Sequence, residues 1–135
     1  MMTMERRVGR LVEIRVKGEP DAKPAFGRVI QLANELGPDA KVVICSDIRE
    51  APGVSMERAD RLATLQRATR ERVERAVMLV SERAVQLLGA ERVRDKGAGR
   101  EVVHIARTPA EAIALLRPLL IPAELNRLKQ FLDGK

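Results

Sequence analysis

The sequence predicts an α/β fold, a single domain with a mixed four- to five-stranded sheet flanked by helices and an extra helix at the C-terminal end. Three observations carry that expectation. First, Val42-Val43-Ile44-Cys45 is an unbroken apolar run, closed by Ser46 and Asp47 and followed by Pro52-Gly53; a short run rich in β-branched residues next to breakers reads as a strand buried on both faces. Second, Ala76 to Val80 repeats that pattern. Third, these runs alternate with stretches of helical periodicity, in the order β-β-α-β-α-β-α-β-α-α, which belongs to a sheet covered by helices.

Thr3 to Val8 and Leu11 to Lys17 read as two strands joined by a tight turn at Gly9. In the second, Val12, Ile14 and Val16 alternate with Glu13, Arg15 and Lys17, a period of two. Gly18-Glu19-Pro20-Asp21 breaks it. Pro24 to Leu36 reads as the first helix, with Phe26, Val29, Ile30, Ala33 and Leu36 on one stripe; Gly37 and Pro38 end it. Lys41 to Asp47 is the next strand. Met56 to about Val73 reads as the longest helix, with Met56, Ala59, Leu62, Leu65, Thr69 and Val73 facing inward. Ser55 offers its N-cap hydroxyl and Glu57 sits in the first turn, where the helix dipole favours negative charge.

After the strand at Ala76–Val80, Ser81 is placed to cap a helix from Glu82 to Leu88, with Gly89 as its C-cap and 90–100 as a flexible connection. Gly97-Ala98-Gly99 precedes a strand rather than a helix, so it fails the context test for a dinucleotide fingerprint and reads as a loop. Glu101 to Ala106 is the last strand. Thr108-Pro109-Ala110-Glu111 is the strongest local signal in the chain: Thr caps, Pro takes the first helical position, and Glu111 reaches back as a capping box. That helix ends at Pro118. Pro122 opens a final helix with Leu125, Leu128, Phe131 and Leu132 on one side. The expected division is a domain over 1–120 and a helical extension over 121–135, the apolar stripe of which packs on the domain or forms a homodimer with a second copy.

Composition narrows the function. The 135 residues are 45% hydrophobic and 33% charged but only 1% aromatic, so the core must be aliphatic. One cysteine, Cys45, excludes an internal disulfide, and in an apolar run it reads as a small inert hydrophobe. No stretch approaches the roughly 18 apolar residues of a membrane span, and the N-terminal segment lacks an apolar signal core, so the expectation is a cytoplasmic protein. The net charge is +6, which admits a weak nucleic-acid or anionic-surface binder as a lesser alternative, but only six of the 25 basic residues are lysines. Arg-rich, Ala-rich coding is what a GC-rich genome produces, and the basic residues are mixed with Glu. Arg67, Arg70, Arg72 and Arg75 form the densest cluster, but the stacking aromatics of a nucleic-acid surface are missing, so nucleic-acid binding is disfavoured. His104 and Cys45 both fall in strands, too few groups for a metal site, and no nucleophile–base set or carboxylate pair is legible. The residues predict no catalytic site, no metal and no cofactor.

Leu11 to Asp21 (LVEIRVKGEPD), Lys41 to Arg49 (KVVICSDIR), Arg75 to Ser81 (RAVMLVS) and His104 to Leu116 (HIARTPAEAIALL) together resemble the STAS-like group, and more closely its SpoIIAA-like branch. The resemblance covers most of Thr3 to Leu120. It implies a non-enzymatic regulatory or binding module, similar to bacterial anti-sigma factor antagonists and stand-alone ligand-binding modules. In the antagonists a phosphorylatable Ser follows an Asp-Ser-Ser/Thr-Gly motif at the start of the helix after the central strand. This chain has Gly53-Val54-Ser55-Met56 there, so Ser55 corresponds by position only, without the preceding Asp or the following Gly. The SpoIIAA-like branch is also similar to lipid-binding folds of the Sec14 type, which implies a small apolar molecule or lipid held in a cleft.

Since ligands of open α/β sheets gather beyond the carboxyl ends of the strands, the candidate partner or ligand loop runs from Asp47 to Ser55. Its residues are Asp47, Arg49, Gly53, Ser55 and, in the helix that follows, Arg58. Ser55 reads as an N-cap or as a phosphate acceptor; Asp47 reads as a strand terminus tied to the next loop or as a group orienting a partner.

Overall fold

The computed structural model describes residues 2–18 and 23–134, and within 23–26 the backbone only. Among these residues are five strands, β1 (Met2–Val8), β2 (Leu11–Lys17), β3 (Val42–Glu50), β4 (Val73–Leu79) and β5 (Val103–Ala106), and five helices, α1 (Lys23–Leu36), α2 (Met56–Thr69), α3 (Ala84–Lys96), α4 (Pro109–Leu116) and α5 (Pro122–Leu132). The strands form one mixed sheet in the order β1-β2-β3-β4-β5, with β1 antiparallel to β2 and all other pairs parallel. The sequence-predicted α/β class is therefore the observed one. Glu19 to Asp21 and the side chain of Phe26 lie outside the described residues.

Each parallel connection steps one strand further across the sheet in the same direction. Right-handed crossovers that advance in a constant direction lay their helices on one face. Accordingly α1, α2 and α3 cover the face formed by Val12, Ile14, Ile44, Ala76 and Met78. The opposite face is covered by α4 and α5, which follow the last strand. There Leu11, Val43, Cys45, Val77, Leu79 and Ala106 meet Ala112, Leu116, Leu128, Phe131 and Leu132 in one fully buried cluster.

The stripe on α5 that suggested a dimer is thus occupied within the chain: Leu128 is buried and Phe131 and Leu132 nearly so. Polar joints hold this helix in place. The buried carboxylate of Glu124 accepts hydrogen bonds from the Ile121 N–H (2.9 Å), capping its own helix, and from the Arg10 N–H (2.6 Å) in the β1–β2 turn. Gly9 in that turn has φ +56°, and a Cβ there would lie 2.2 Å from a Glu124 carboxylate oxygen, so conformation and space both require glycine. Arg127 makes a two-pronged pair with Glu13, both bonds 2.8 Å, with Glu13 only 4% exposed. Through these joints α5 is fastened to the β1–β2 turn and to β2.

Several local expectations are corrected. Val73 does not belong to the inward stripe of α2. That helix ends at Thr69, passes through one 3-10 turn (Arg70–Arg72), and Val73 opens β4. The α3 helix does not stop at Leu88, and 90–100 is not a flexible connection, because the helix runs from Ala84 to Lys96. Gly89 sits inside it, where a Cβ would come within 3.0 Å of Val54 Cγ2. It is small for close approach rather than for capping, and that packing offsets the roughly 1 kcal/mol a helical glycine costs. The helix ends at Gly97, whose N–H donates to the Val93 carbonyl (2.8 Å). Ser81 does not cap α3; Arg83 holds that position without a side-chain cap, while the Ser81 hydroxyl donates to Gln86 Oε1 (2.8 Å).

The cap of α4 stands as read: Thr108 Oγ accepts from the Glu111 N–H (3.1 Å) and Pro109 begins the helix. Glu111 reaches back one residue further than a capping box requires, to the Arg107 N–H (2.7 Å). No helix among the described residues is long and apolar enough to cross a membrane.

Candidate functional site, an apolar cavity between the sheet and α2 and α3

Helix α2 packs chiefly on α3 and α1 rather than on the sheet. The residues it buries are small, Ala59, Ala63 and Thr69, and those α3 buries include Gly89 and Ala90. Small side chains let the two helices approach one another but do not reach the strands. Asp60 and Arg92 lock the pair together through two bonds of 2.8 and 3.1 Å. What remains between the helices and the sheet is a cavity of about 180 Å³.

Its floor is the sheet, with Ile14, Val16, Ile44, Ile48, Ala76, Met78 and Val103. Met2 and Met4 close the β1 side, and Leu62, Ala90 and Val93 form the roof. Ala51, Pro52, Gly53 and Val54, the connection between β3 and α2, line it as well. Among the few polar groups, Gln66 accepts from the Ala98 N–H (2.9 Å), and the Thr69 hydroxyl bonds the helix backbone at Gln66 O (3.2 Å). Gln86 is committed too. Its Oε1 accepts from the Ser81 N–H and hydroxyl (both 2.8 Å), and its Nε2 donates to the carbonyls of Arg49 (3.2 Å) and Ala51. The side-chain hydroxyl of Ser46 has no hydrogen-bond partner among the described residues, although it lines the cavity from the middle of β3.

The five loop residues singled out in the sequence do not act together. Asp47 and Arg49 belong to the opposite face, because β3 continues to Glu50 and alternate residues point away from the cavity. Asp47, 7% exposed, accepts from Arg49 Nε (3.0 Å), Arg49 Nη2 (2.9 Å) and the Arg49 N–H (3.2 Å), with Arg15 Nε at 3.9 Å. Burial by itself would raise the Asp47 pKa, but the Arg49 hydrogen bonds and the charges of Arg49 and Arg15 outweigh it and hold the carboxyl below its ordinary value. Arg49 and Arg15 also donate to the Leu132 and Phe131 carbonyls at the C-terminal end of α5, where the helix dipole favours cations. Arg15 further lies 4.5 Å over the Phe131 ring. Asp47 and Arg49 thus fasten α5.

Gly53 lies at the cavity. A Cβ there would fall 1.8 Å from Val85 Cγ1, so glycine lets the loop touch the start of α3. Ser55 caps α2 by accepting from the Arg58 N–H (3.2 Å). Burial pushes the Cys45 thiol up to about 12, which keeps it protonated and unreactive. Burial and the neighbouring Arg75 charge lower the His104 pKa, favouring neutral imidazole. Among the described residues no three His, Cys, Asp or Glu side chains gather to hold a metal ion.

The cavity was legible only in part. Ala51 to Val54 of the Asp47–Ser55 loop line it, but its roof comes from helix positions that read as ordinary inward stripe. The signals present were Ser46 interrupting a buried strand face and the run of small residues at Ala59, Ala63, Gly89 and Ala90. No protein-family model, curated protein or solved structure matches the chain.

Proposed function

We propose that this protein is a non-enzymatic binding module of the SpoIIAA/STAS-like kind that takes up a small, predominantly apolar molecule between its sheet and helices α2 and α3. The observation that carries this reading is the cavity itself: about 180 Å³, lined chiefly by aliphatic and methionine side chains, with Ser46, Gln66, Thr69, Arg70 and Gln86 as its polar members. An apolar cavity of roughly 150 Å³ in another protein stays dry and binds benzene, so this one suits a monocyclic ring or a medium-length alkyl chain. Ser46 Oγ supplies one hydrogen-bonding point, which fits an alcohol, ester or acid group on an otherwise apolar ligand. The Ala51–Val54 connection lines it, which joins the loop expected from the sequence to a cleft for an apolar ligand.

Native mass spectrometry of gently purified protein would show a copurifying ligand as a mass lost on denaturation. The decisive test uses n-octanol as probe and methionine-methyl carbon-13 NMR as readout. Met4 and Met78 line the cavity, whereas Met56 lies outside it and is 58% exposed. Saturable shifts at Met4 and Met78 with Met56 unmoved, abolished by Ala76→Leu, are the expected result. Equal movement of Met56, or octanol binding untouched by Ala76→Leu, would refute the reading.

A second reading, docking of a protein partner, is favoured by one observation. Val85 and Leu88, one turn apart at the start of α3, are 60% and 68% exposed beside the Gly53 loop. A pull-down partner lost on Leu88→Glu, with octanol binding intact, would select it.

A further inference from the structure

A second concave site lies on the other side of the β3–α2 connection, at the carboxyl ends of three neighbouring parallel strands. Arg49 from β3, Arg83 after β4 and Arg107 after β5 line one open cleft, together with the hydroxyl-bearing Ser81 and Thr108. Glu82 is the acidic residue in the lining. Three guanidinium groups in one cleft repel one another, and two of them are held there by bonds on one edge only. Arg49 spends Nε and Nη2 on Asp47 and the Leu132 carbonyl. Arg83 spends Nε on Ser81 Oγ (3.4 Å) and Nη2 on the carbonyls of Arg49 (3.2 Å) and Ala51 (3.3 Å).

The Nη1 groups of both remain without a partner among the described residues. The whole guanidinium of Arg107 is likewise unpartnered, its only bond to a carboxylate being made by its backbone N–H. Among the described residues Arg83 and Arg107 have no carboxylate partner for their side chains, while Asp47 already offsets Arg49. Anchored arginines with donors to spare match a ligand with several acceptor oxygens, and the planar guanidinium fork fits phosphate in particular.

We infer that the Arg49–Arg83–Arg107 cleft binds a phosphate group, with Arg107 as the arm that closes on it and Thr108, the hydroxyl oxygen of which only accepts, as a supplementary hydroxyl donor. This site is independent of the apolar cavity, since neither Arg83 nor Arg107 lines that cavity. The phosphate could be borne by a small soluble ester or by a lipid headgroup, and the two are separated by the probe.

Titration with glycerol 3-phosphate, followed by amide NMR at Ser81 to Arg83 and at Thr108, should give saturable shifts. Arg107→Ala should weaken binding about tenfold or more, the loss that goes with a charge-assisted hydrogen bond. Arg117→Ala is the matched control, because it removes one exposed arginine outside the cleft and should leave affinity unchanged. If glycerol 3-phosphate fails to bind, but vesicles containing phosphatidic acid sediment the wild type and not Arg107→Ala, the phosphate belongs to a lipid. Equal weakening by the two variants with either probe would reduce the effect to net charge and overturn the proposal. So would absence of saturable binding to both probes.

Discussion

The two faces of the sheet are covered in opposite ways. Two short helices, α4 and α5, fill the middle of one face, with Val77, Leu79, Leu116 and Leu128 all at 0% exposure, and leave a polar cleft at its β1 edge, where Thr3, Glu5 and Arg7 are exposed. Three longer helices cover the other and leave a cavity, so that Ala76, Met78, Ser46 and Ile48 in mid-sheet are only half-buried. The amount of helix does not decide whether a face is filled. Side-chain reach decides it. The α4/α5 pair sends Leu116, Leu128, Phe131 and Leu132 onto the strands, whereas α2 buries only Ala59, Ala63 and Thr69, and α3 offers Gly89, packed on Val54, and the short Ala90. One face carries stability; the other has room for a ligand.

The sharpest way to break this contrast is a thiol on each face. Cys45 lies in the filled face, and its reaction with a thiol reagent should require global unfolding. With a stability of at least about 5 kcal/mol, that slows it by about a thousandfold or more. A Cys45→Ala, Ala76→Cys variant should react without unfolding, at a rate insensitive to low denaturant. Similar slow rates for the two thiols would mean that the second face is closed as well.

The next largest effect is expected at Glu13. Glu13→Ala leaves Arg127 unpaired beneath α5 and should cost about 3–5 kcal/mol in urea unfolding, as breaking a buried ion pair does. A loss below about 1 kcal/mol would show that α5 is held by its apolar stripe alone. Leu116→Ala should then cost about 3 kcal/mol, because the filled face has no room to relax, and Met78→Ala about 1 kcal/mol, because its side chain already borders a void. Equal costs would erase the distinction between the faces.

The smallest effect is a pH dependence. The Asp47 pKa is lowered below the ordinary 3.8 in the folded state. Its contribution is therefore fully present above about pH 4 and lost as pH falls through the lowered folded value. Asp47→Asn should flatten that acid limb of stability, and an unchanged limb would assign the acid sensitivity to other carboxylates.

Much of the architecture was readable along the chain. The bounds of β2, the N-cap of α2 at Ser55 and the Thr108-Pro109 start of α4 follow from alternation and capping chemistry, which act within a few residues. The errors came where a local signal had a distant cause. Gly89 looked like a helix end but is small because Val54 approaches it from another segment. Asp47 and Arg49 looked like the open end of a strand, but they anchor the last turn of a helix more than eighty residues later in the chain, Arg49 bonding the Leu132 carbonyl. Of the candidate loop, the stretch around Gly53 lines the cavity, Ser55 caps a helix, and Arg83 and Arg107 were not singled out at all.

By itself, then, the sequence determined the class, the succession of elements and the aliphatic character of the core, because periodicity, capping and turn chemistry are short-range. Only the tertiary structure decided which face is filled, where the cavity lies and which arginines converge. Those depend on side-chain volumes and charges brought together from α2, α3 and the ends of three strands, and no local pattern encodes that sum.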